Sequence, residues 1–303
     1  MKALLAALQR MAKAADGQVA ASQFTAAQRK ALDQFIQQTH AITCRTSGRG
    51  ITYQVSQPQV IEAHLRSISP GLLEELSDSV PNRAANIAAY RNSKGGGHRH
   101  AAYYLLMRAC GERVMWRDAD SQLDLSDATA RYGVAALAVE PSDTWCSAQP
   151  LWLVENQALF DRLDWLPNSD LQKIGLPHNG QASVHWYRGQ INNNLLDWLG
   201  ASERVPEVVL FPDYDGVGLQ NYARLHQRLG NRCSLWLMPD WQSKLKTFGS
   251  NTIWRDTKSD FDAAVSYLSQ AIPSQTAQGA EIHRLITALR TEGAALEQEA
   301  IWL

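Results

Sequence analysis

The chain has 303 residues, of which 45% are hydrophobic and 19% are charged, and its formal net charge at pH 7 is −1. This length suffices for two domains, and the apolar runs are far too short to span a bilayer, so we expect a globular cytoplasmic protein without a membrane partner. The near-neutral charge excludes a global attraction to nucleic acid, so any such contact must come from local basic patches.

Residues 1–67 are predicted to form helices followed by a β-hairpin. The tetrapeptide Thr25-Ala26-Ala27-Gln28 fits a capping box, which opens a helix whose apolar residues keep helical spacing. Residues 41–46 and 50–55 then have the pattern of two strands joined by a tight turn. This order of elements is typical of a winged helix-turn-helix, an α+β module that binds double-stranded DNA.

In such a module one helix enters the major groove and the hairpin, or wing, touches the DNA backbone. Arg49 lies in the predicted turn and Arg45 lies just before it, so we expect both to contact phosphate. The alternative is a winged helix that packs only against a protein partner.

Residues 68–147 are predicted to form a basic helical connector. From Ser79 to Gly111 the chain contains no Asp or Glu, and the centre of this stretch is rich in glycine. A basic, glycine-rich loop suits contact with a phosphate backbone, although a solvated linker would have the same composition. The apolar run from Ala101 to Met107 is predicted to be helical. The basic residues predicted to bind phosphate here are Arg91, Lys94 and Arg99.

Residues 148–303 alternate between strand and helix patterns, which predicts a mostly parallel sheet between helices. The candidate strands are Leu151–Glu155, Ser183–Arg188, Val208–Pro212 and Ser234–Met238. The candidate helices between them are 157–163, 190–199 and 217–229. A further strand at Thr252–Arg255 and a single long helix from Ala277 to Ile301 are predicted near the C-terminus. The whole chain is therefore expected to have an α/β fold.

Acidic residues follow two of these strands, where ligands gather in parallel sheets. Glu155 ends the first apolar run, and Asp213 and Asp215 follow the third. Carboxylates that lie so close repel each other unless a cation lies between them, and hard oxygen ligands suit Mg²⁺ or Mn²⁺. The alternative is that Asp213 and Asp215 only form a turn or cap the next helix, and that Glu155 only begins one.

Three residues near these acids are predicted to contact a phosphate. Gly216 and Gly218 would let the backbone approach it closely, because glycine has no side chain. Arg188, which ends a neighbouring candidate strand, would contact the scissile phosphate or pair with a carboxylate.

The chain has a glutamate after one candidate strand and an Asp-x-Asp-x-x-Gly motif after a later one. In both features it resembles the Toprim domain. The matching residues are Glu155, Asp213, Asp215 and Gly218, and the likeness extends over residues 148–270. Because a winged helix is predicted ahead of this region, the chain resembles the JetD/MksG group, the nuclease subunits of SMC-like plasmid-defence complexes. In the type IIB topoisomerase branch a proline often follows the second aspartate, where this chain has Gly216, which puts the subgroup in doubt.

The resemblance implies a metal-dependent DNA endonuclease that uses Mg²⁺ or Mn²⁺, forms a homodimer and serves an SMC-like complex of the MksB/MksE/MksF type. Glu155, Asp213 and Asp215 would hold the metal, and Glu155 could instead serve as general acid or base.

Two alternatives remain open. A stand-alone Toprim nuclease or a type IIB topoisomerase-like subunit would share the fold, and the latter would need a tyrosine nucleophile. The candidate tyrosines are Tyr53, Tyr90, Tyr103 and Tyr104. A non-catalytic DNA-binding scaffold is the third possibility, and the intact set of Glu155, Asp213 and Asp215 argues against it.

Overall fold

A computed structural model describes residues 2–47, 50–69, 80–90, 93, 102–166, 180–201 and 203–303. The chain divides into two units, residues 1–99 and residues 100–303, each with its own hydrophobic core. Within the described ranges, no helix has both the length and the apolar character needed to cross a membrane.

The N-terminal unit combines helices with a three-stranded antiparallel sheet in the order β1-β3-β2. Its elements are α1 (Lys2–Lys13), β1 (Gln18–Ala20), α2 (Ala26–Thr39), β2 (Ile42–Ser47), β3 (Gly50–Val55), α3 (Pro58–Ile68) and α4 (Asn82–Tyr90). The predicted hairpin is confirmed as β2 and β3.

The predicted capping box at the start of α2 is confirmed. The Thr25 hydroxyl accepts a hydrogen bond from the Gln28 backbone N–H at 3.2 Å, and the Gln28 side chain accepts one from the Thr25 N–H at 2.9 Å. Two otherwise unpaired donors of the first turn are thereby satisfied. Leu32 and Phe35 then point into the core of this unit beside Tyr53, which is also buried.

The second unit is built on a six-stranded sheet in the order β11-β10-β8-β9-β4-β7. Strands β8 to β11 run parallel to one another, whereas β4 runs antiparallel to both of its neighbours. The strands are β4 (Tyr103–Cys110), β5 (Met115–Arg117), β6 (Gln122–Asp124), β7 (Ala135–Val139), β8 (Leu151–Val154), β9 (Ala182–Trp186), β10 (Val208–Phe211) and β11 (Cys233–Leu235), of which β5 and β6 form a separate hairpin.

Helices follow or connect most of these strands. They are α5 (Leu125–Tyr132), α6 (Gln157–Asp161), α7 (Asn193–Ala201), α8 (Gly216–Leu229), α9 (Trp241–Phe248), α10 (Asn251–Asp256), α11 (Lys258–Ala271) and α12 (Ala277–Glu292). Strands β8 and β10 are fully buried, which explains why their sequences are unbroken apolar runs.

The expected α/β fold is confirmed, and the strands of residues 148–303, β8 to β11, run parallel as predicted. The whole sheet is mixed, because β4 and β7, from residues before 148, add an antiparallel edge. The prediction of a helix at Ala101–Met107 was wrong, since Tyr103–Cys110 is a strand. Leu105 and Met107 are buried while Tyr104 is exposed, so burial alternates with the period of two that characterises a strand. Part of the predicted helical connector, residues 68–147, therefore belongs to the sheet.

Two predictions near the C-terminus were also wrong. Residues 252–255 are helical within α10, not a strand. The last long helix ends at Glu292, because Gly293 takes a left-handed conformation (φ 59°) that terminates it. The chain then extends, and Leu296 pairs with Tyr214 in an antiparallel bridge. This bridge brings the C-terminal residues to the carboxyl end of β10.

Candidate functional site

The predicted acidic residues meet at one edge of the sheet. Strands β8 and β10 are parallel neighbours, with Val154 opposite Phe211. Glu155 directly follows β8, and Asp213 lies two residues beyond the end of β10. The charge of Glu155 raises the pKa of Asp213, and the charge of Asp215 raises the pKa of Glu155, so the three carboxylates lie within electrostatic range of one another. The expectation that distant acids converge at this edge is thus supported by the geometry.

Glu155 is partly buried beside other acids. Burial raises the pKa of its carboxyl group to about 7, and the charge of Asp215 contributes in the same direction. The Tyr187 hydroxyl donates a hydrogen bond to Glu155 Oε2 at 3.1 Å, which partly offsets the shift by stabilising the charged form. A carboxyl group with a pKa near 7 can both accept and release a proton at neutral pH.

The pKa of the Asp213 carboxyl group is shifted further than that of Glu155. Burial raises its pKa to about 8, with the charge of Glu155 as the next contribution. Its Oδ1 accepts a hydrogen bond from the Gln298 backbone N–H at 2.8 Å, which acts in the opposite direction. Clustered carboxyl groups with raised pKa values are a frequent signature of catalytic sites, although structural clusters also produce them.

Asp215 serves as the N-cap of α8. Its Oδ1 accepts a hydrogen bond from the Gly218 backbone N–H at 2.7 Å, and its side chain is buried. The capping role that the sequence left open is therefore present. Burial also raises the pKa of the Asp215 carboxyl group, and the nearby charges of Asp260 and Glu297 add to this. One Asp215 oxygen is thus engaged with the helix.

The sequence analysis missed the residues that the C-terminus brings to this edge. Gln298 is completely buried: its side chain accepts from the Asn156 N–H at 3.0 Å and donates to the Phe211 carbonyl. Glu299 accepts a hydrogen bond from the Asn156 side chain at 2.9 Å and raises the pKa of both Glu155 and Asp213. Gly293, a signal for a helix end, could have revealed that these residues are not helical.

Gly216 and Gly218 are buried, and protein backbone fills the space that a side chain would need. A Cβ on Gly216 would lie 1.9 Å from the Thr257 carbonyl oxygen, and one on Gly218 would lie 2.0 Å from the Asp213 carbonyl oxygen. Close packing around the start of α8 is therefore a sufficient reason for both glycines. Their predicted contact with phosphate remains a prediction.

We expect Gly216→Ala and Gly218→Ala to lower the free energy of unfolding by about 2 kcal/mol or more, because the added methyl group must displace backbone. Gly200→Ala is the matched control, since a Cβ there meets only ordinary contacts of 3.8 Å and longer on a helix. Chemical denaturation should show this control to be within about 1 kcal/mol of the wild type. Equal stability of all three variants would contradict the packing account.

Oxygen ligands, negative charge and burial make the acidic residues chemically suited to a hard divalent cation. In the part of the chain that the structure describes, however, no three His, Cys, Asp or Glu side chains are already placed to hold one metal ion. A cation would therefore have to draw Glu155, Asp213 and Asp215 together from their present positions. Such an ion would relieve the repulsion that Asp215 exerts on Glu155 and that Glu155 exerts on Asp213.

The predicted phosphate-binding residues are spread over the chain. Arg188 is exposed after β9, and its guanidinium carbon lies 4.0 Å from the centre of the Trp186 ring. Arg45 is exposed on β2 of the N-terminal unit. Four further candidates, Arg49, Arg91, Lys94 and Arg99, lie outside the described residues.

Neither Tyr53 nor Tyr103 has a lowered pKa, which would favour a tyrosine nucleophile. Burial, followed by a hydrogen bond to Asp33, raises the pKa of Tyr53 to about 12. Burial likewise raises the pKa of Tyr103 to about 12, and its hydroxyl lies 2.9 Å from His185 Nε2. Tyr104 is exposed on β4, and Tyr90 ends α4.

Comparison with known proteins gives one family. Residues 112–302 match the family described as Domain of unknown function (DUF7281). This range contains Glu155, Asp213, Asp215 and Glu299, and so all the carboxylates of the site. No curated protein matches the chain.

Proposed function

The chain belongs to the DUF7281 family, and we propose that it is a metal-dependent DNA endonuclease of the Toprim type that hydrolyses phosphodiester bonds. One observation carries this proposal: Glu155 and Asp213 follow neighbouring parallel strands that are far apart in sequence, and the charge of Glu155 raises the pKa of Asp213. Burying like charges close together is unfavourable in free energy. Such a cluster is therefore expected where a bound cation offsets the repulsion.

The arrangement of strands supports a Toprim-like assignment. Four parallel strands, β11-β10-β8-β9, place the glutamate and the Asp-x-Asp pair after adjacent strands. In the N-terminal unit, the order β1-β3-β2 and the capped helix α2 support a winged helix. Arg29, Lys30 and Arg45 are exposed on α2 and β2, and would contact the phosphates of double-stranded DNA.

Glu155, Asp213 and Asp215 would hold Mg²⁺ or Mn²⁺. When bound, the ion supplies charge stabilisation for the phosphoryl oxygen and lowers the pKa of water. Tyr187 orients the Glu155 carboxyl group by its hydrogen bond, and with a pKa raised to about 7 this group would accept or donate a proton. Gln298 orients Asp213 through its backbone N–H and holds the ends of β8 and β10 together through its side chain.

The resemblance to the JetD/MksG group extends the proposal to partners. We propose that the endonuclease acts in the cytoplasm as a homodimer beside an SMC-like complex of the MksB/MksE/MksF type, and that it cuts plasmid or other foreign DNA. Water is the proposed nucleophile, since the raised pKa of Tyr53 and of Tyr103 favours neither as an attacking group.

A plasmid-cleavage assay tests the proposal. Supercoiled plasmid is incubated with the protein in Mg²⁺, in Mn²⁺ or in EDTA, with and without an SMC-like complex of the MksB/MksE/MksF type. We expect nicked or linear product only with a divalent ion, and no protein attached to the DNA ends after denaturation. Covalent attachment would identify a topoisomerase-like subunit. DNA binding with no cleavage under any of these conditions would support a scaffold and overturn the proposal.

A further inference from the structure

A groove of about 500 Å³ lies between β4, the end of α5, α6 and the end of β9. The residues that line it include Leu106, Arg108, Phe160 and Trp186. Tyr132 also lines it, and 74% of the Tyr132 surface is exposed. An exposed tyrosine beside other aromatic rings and arginines is the combination that proteins use to bind unpaired nucleic acid.

Two arginines and two rings form a stack, which we call the ring stack (Arg108, Phe160, Trp186 and Arg188). Arg108, Phe160 and Trp186 line the groove, and Arg188 lies over the Trp186 ring. The centres of the Phe160 and Trp186 rings are 6.2 Å apart, with an angle of 25° between their planes. The Arg108 guanidinium carbon lies 6.0 Å from the Phe160 ring centre, and that of Arg188 lies 4.0 Å from the Trp186 ring centre.

The backbone holds Arg188 in this stack. Its φ of 59° lies in the left-handed region, which is unfavourable for an arginine, and the following Gly189 has a φ of 57°. The surrounding structure therefore imposes this turn, and unusual backbone of this kind concentrates at functional sites. Arg188 is exposed, so its guanidinium group remains open to a ligand.

Arg108 is fixed at the other end of the ring stack. Its Nη1 donates hydrogen bonds to the backbone carbonyls of Phe160, at 2.8 Å, and of Asp161. Its Nε is buried and has no hydrogen-bond partner within the described part of the chain. Asp161 contributes one acidic side chain to the groove, and the Gln157 side chain donates a hydrogen bond to it at 3.2 Å.

The ring stack contacts the backbone at Glu155. The Trp186 indole N–H donates a hydrogen bond to the Glu155 backbone carbonyl at 2.8 Å. The groove and the residue that bears the Glu155 carboxylate are therefore adjoining parts of the chain, and one DNA strand could contact both. A guanidinium group can stack on a base and bind a phosphate, which matches both parts of a nucleotide.

We infer that this groove binds an unpaired nucleotide of the DNA strand that is cut. The inference rests on the proposed function and adds the substrate class, which is a strand that is single-stranded or locally opened. In an intact duplex the faces of the bases are stacked on one another, so a groove that binds base faces selects unpaired nucleotides.

The test measures DNA binding without cleavage, with the full chain in EDTA. Fluorescence anisotropy follows a labelled oligothymidine of about 12 nucleotides, and a duplex of the same length is measured in parallel. We expect Arg188→Ala and Tyr132→Ala each to weaken binding of the single strand about fivefold or more, and binding of the duplex less, because each removes a stacking partner.

Two exposed residues outside the groove supply matched controls. Arg131 neighbours Tyr132 and is paired with Asp127, and Phe248 is half-exposed on α9. Arg131→Ala and Phe248→Ala should bind the single strand like the wild type. Thermal unfolding of all four variants establishes that each is folded.

Several outcomes would overturn the inference. Wild-type affinity of both Arg188→Ala and Tyr132→Ala, an equal loss in the controls, or equal losses for single strand and duplex would each do so. Competition by free dTMP as effective as that by the oligonucleotide would show that a mononucleotide, not a strand, occupies the groove. If the protein cleaves DNA and these variants bind the single strand like the wild type, this inference alone is refuted. If binding depends on the groove but no cleavage occurs, the proposed nuclease activity alone is refuted.

Discussion

Replacing Asp213 with asparagine is expected to lower the rate of metal-dependent plasmid cleavage by about 10³-fold or more. Asparagine keeps the shape of the side chain and one oxygen, but it removes the negative charge that attracts the cation. Asp213 and Glu155 follow the ends of neighbouring strands and interact electrostatically. The substitution therefore removes a negative charge from the pair that would hold the ion. Glu155→Gln should have an effect of similar size.

The matched control for this substitution is Asp256→Asn. Asp256 is exposed at the end of α10, and removing its charge leaves the Glu155 and Asp213 pair intact. Initial rates of nicking should therefore be close to those of the wild type for Asp256→Asn. If Asp213→Asn retained a rate within a few-fold of the wild type while remaining folded, a catalytic role for this aspartate would be refuted.

The metal-free protein is expected to become less stable as the pH rises from about 5 to about 8.5. Burial and the charge of Asp215 raise the pKa of Glu155 to about 7, and burial and the charge of Glu155 raise that of Asp213 to about 8. Between their ordinary and raised pKa values, the folded chain binds more protons than the unfolded chain, so the free energy of unfolding falls with rising pH. One pKa unit corresponds to about 1.4 kcal/mol, so pKa values that lie two or more units above pH 5 predict a total loss of at least about 3 kcal/mol.

Urea denaturation in EDTA at pH 5 and at pH 8.5 measures this loss. Asp213→Asn should be less sensitive to pH and more stable than the wild type at pH 8.5, because it removes one of the repelling charges. Added Mn²⁺ should raise the stability of the wild type at pH 8.5 and have much less effect on Asp213→Asn, since a ligand stabilises the state that binds it. A free energy of unfolding that rises over this pH range in the wild type would contradict the account.

The parts of the fold that follow from local patterns could be predicted from sequence. The capping box of Thr25 and Gln28 marks the start of α2, and the fully apolar β8 and β10 mark buried strands. Because strands and helices alternate there, the sequence also predicts that Glu155 and Asp213 lie at one edge of the sheet. These features depend on residues that are close in sequence or on a periodic pattern.

The antiparallel edge could not be predicted in the same way. The apolar run from Ala101 to Met107 suits a helix or a strand, and what makes Tyr103–Cys110 a strand is its pairing with β7 and β9. His185 illustrates this: it lies opposite Met107, some 80 residues earlier in the chain, and its Nδ1 is 2.9 Å from the Leu106 carbonyl. Pairing over such a distance leaves no local signal.

The contribution of the C-terminus was missed for a different reason. Gln298 and Glu299 follow an amphipathic helix, and only Gly293 signals where that helix ends. Their roles come from contacts with Asn156 and Asp213, more than 80 residues away in sequence. Gly216 was likewise interpreted from its local motif, while the space around it is filled by the Thr257 carbonyl, which is also distant in sequence.

The most direct measurement of the central claim is a crystal structure of the protein soaked in Mn²⁺, with anomalous scattering used to locate the ion. The account predicts an anomalous peak at the ends of β8 and β10, about 2.2 Å from carboxylate oxygens of Glu155 and Asp213. It also predicts that these side chains move towards each other relative to the metal-free structure. A protein that cleaves DNA in Mn²⁺ but binds the ion elsewhere, with these carboxylates unmoved, would contradict the claim.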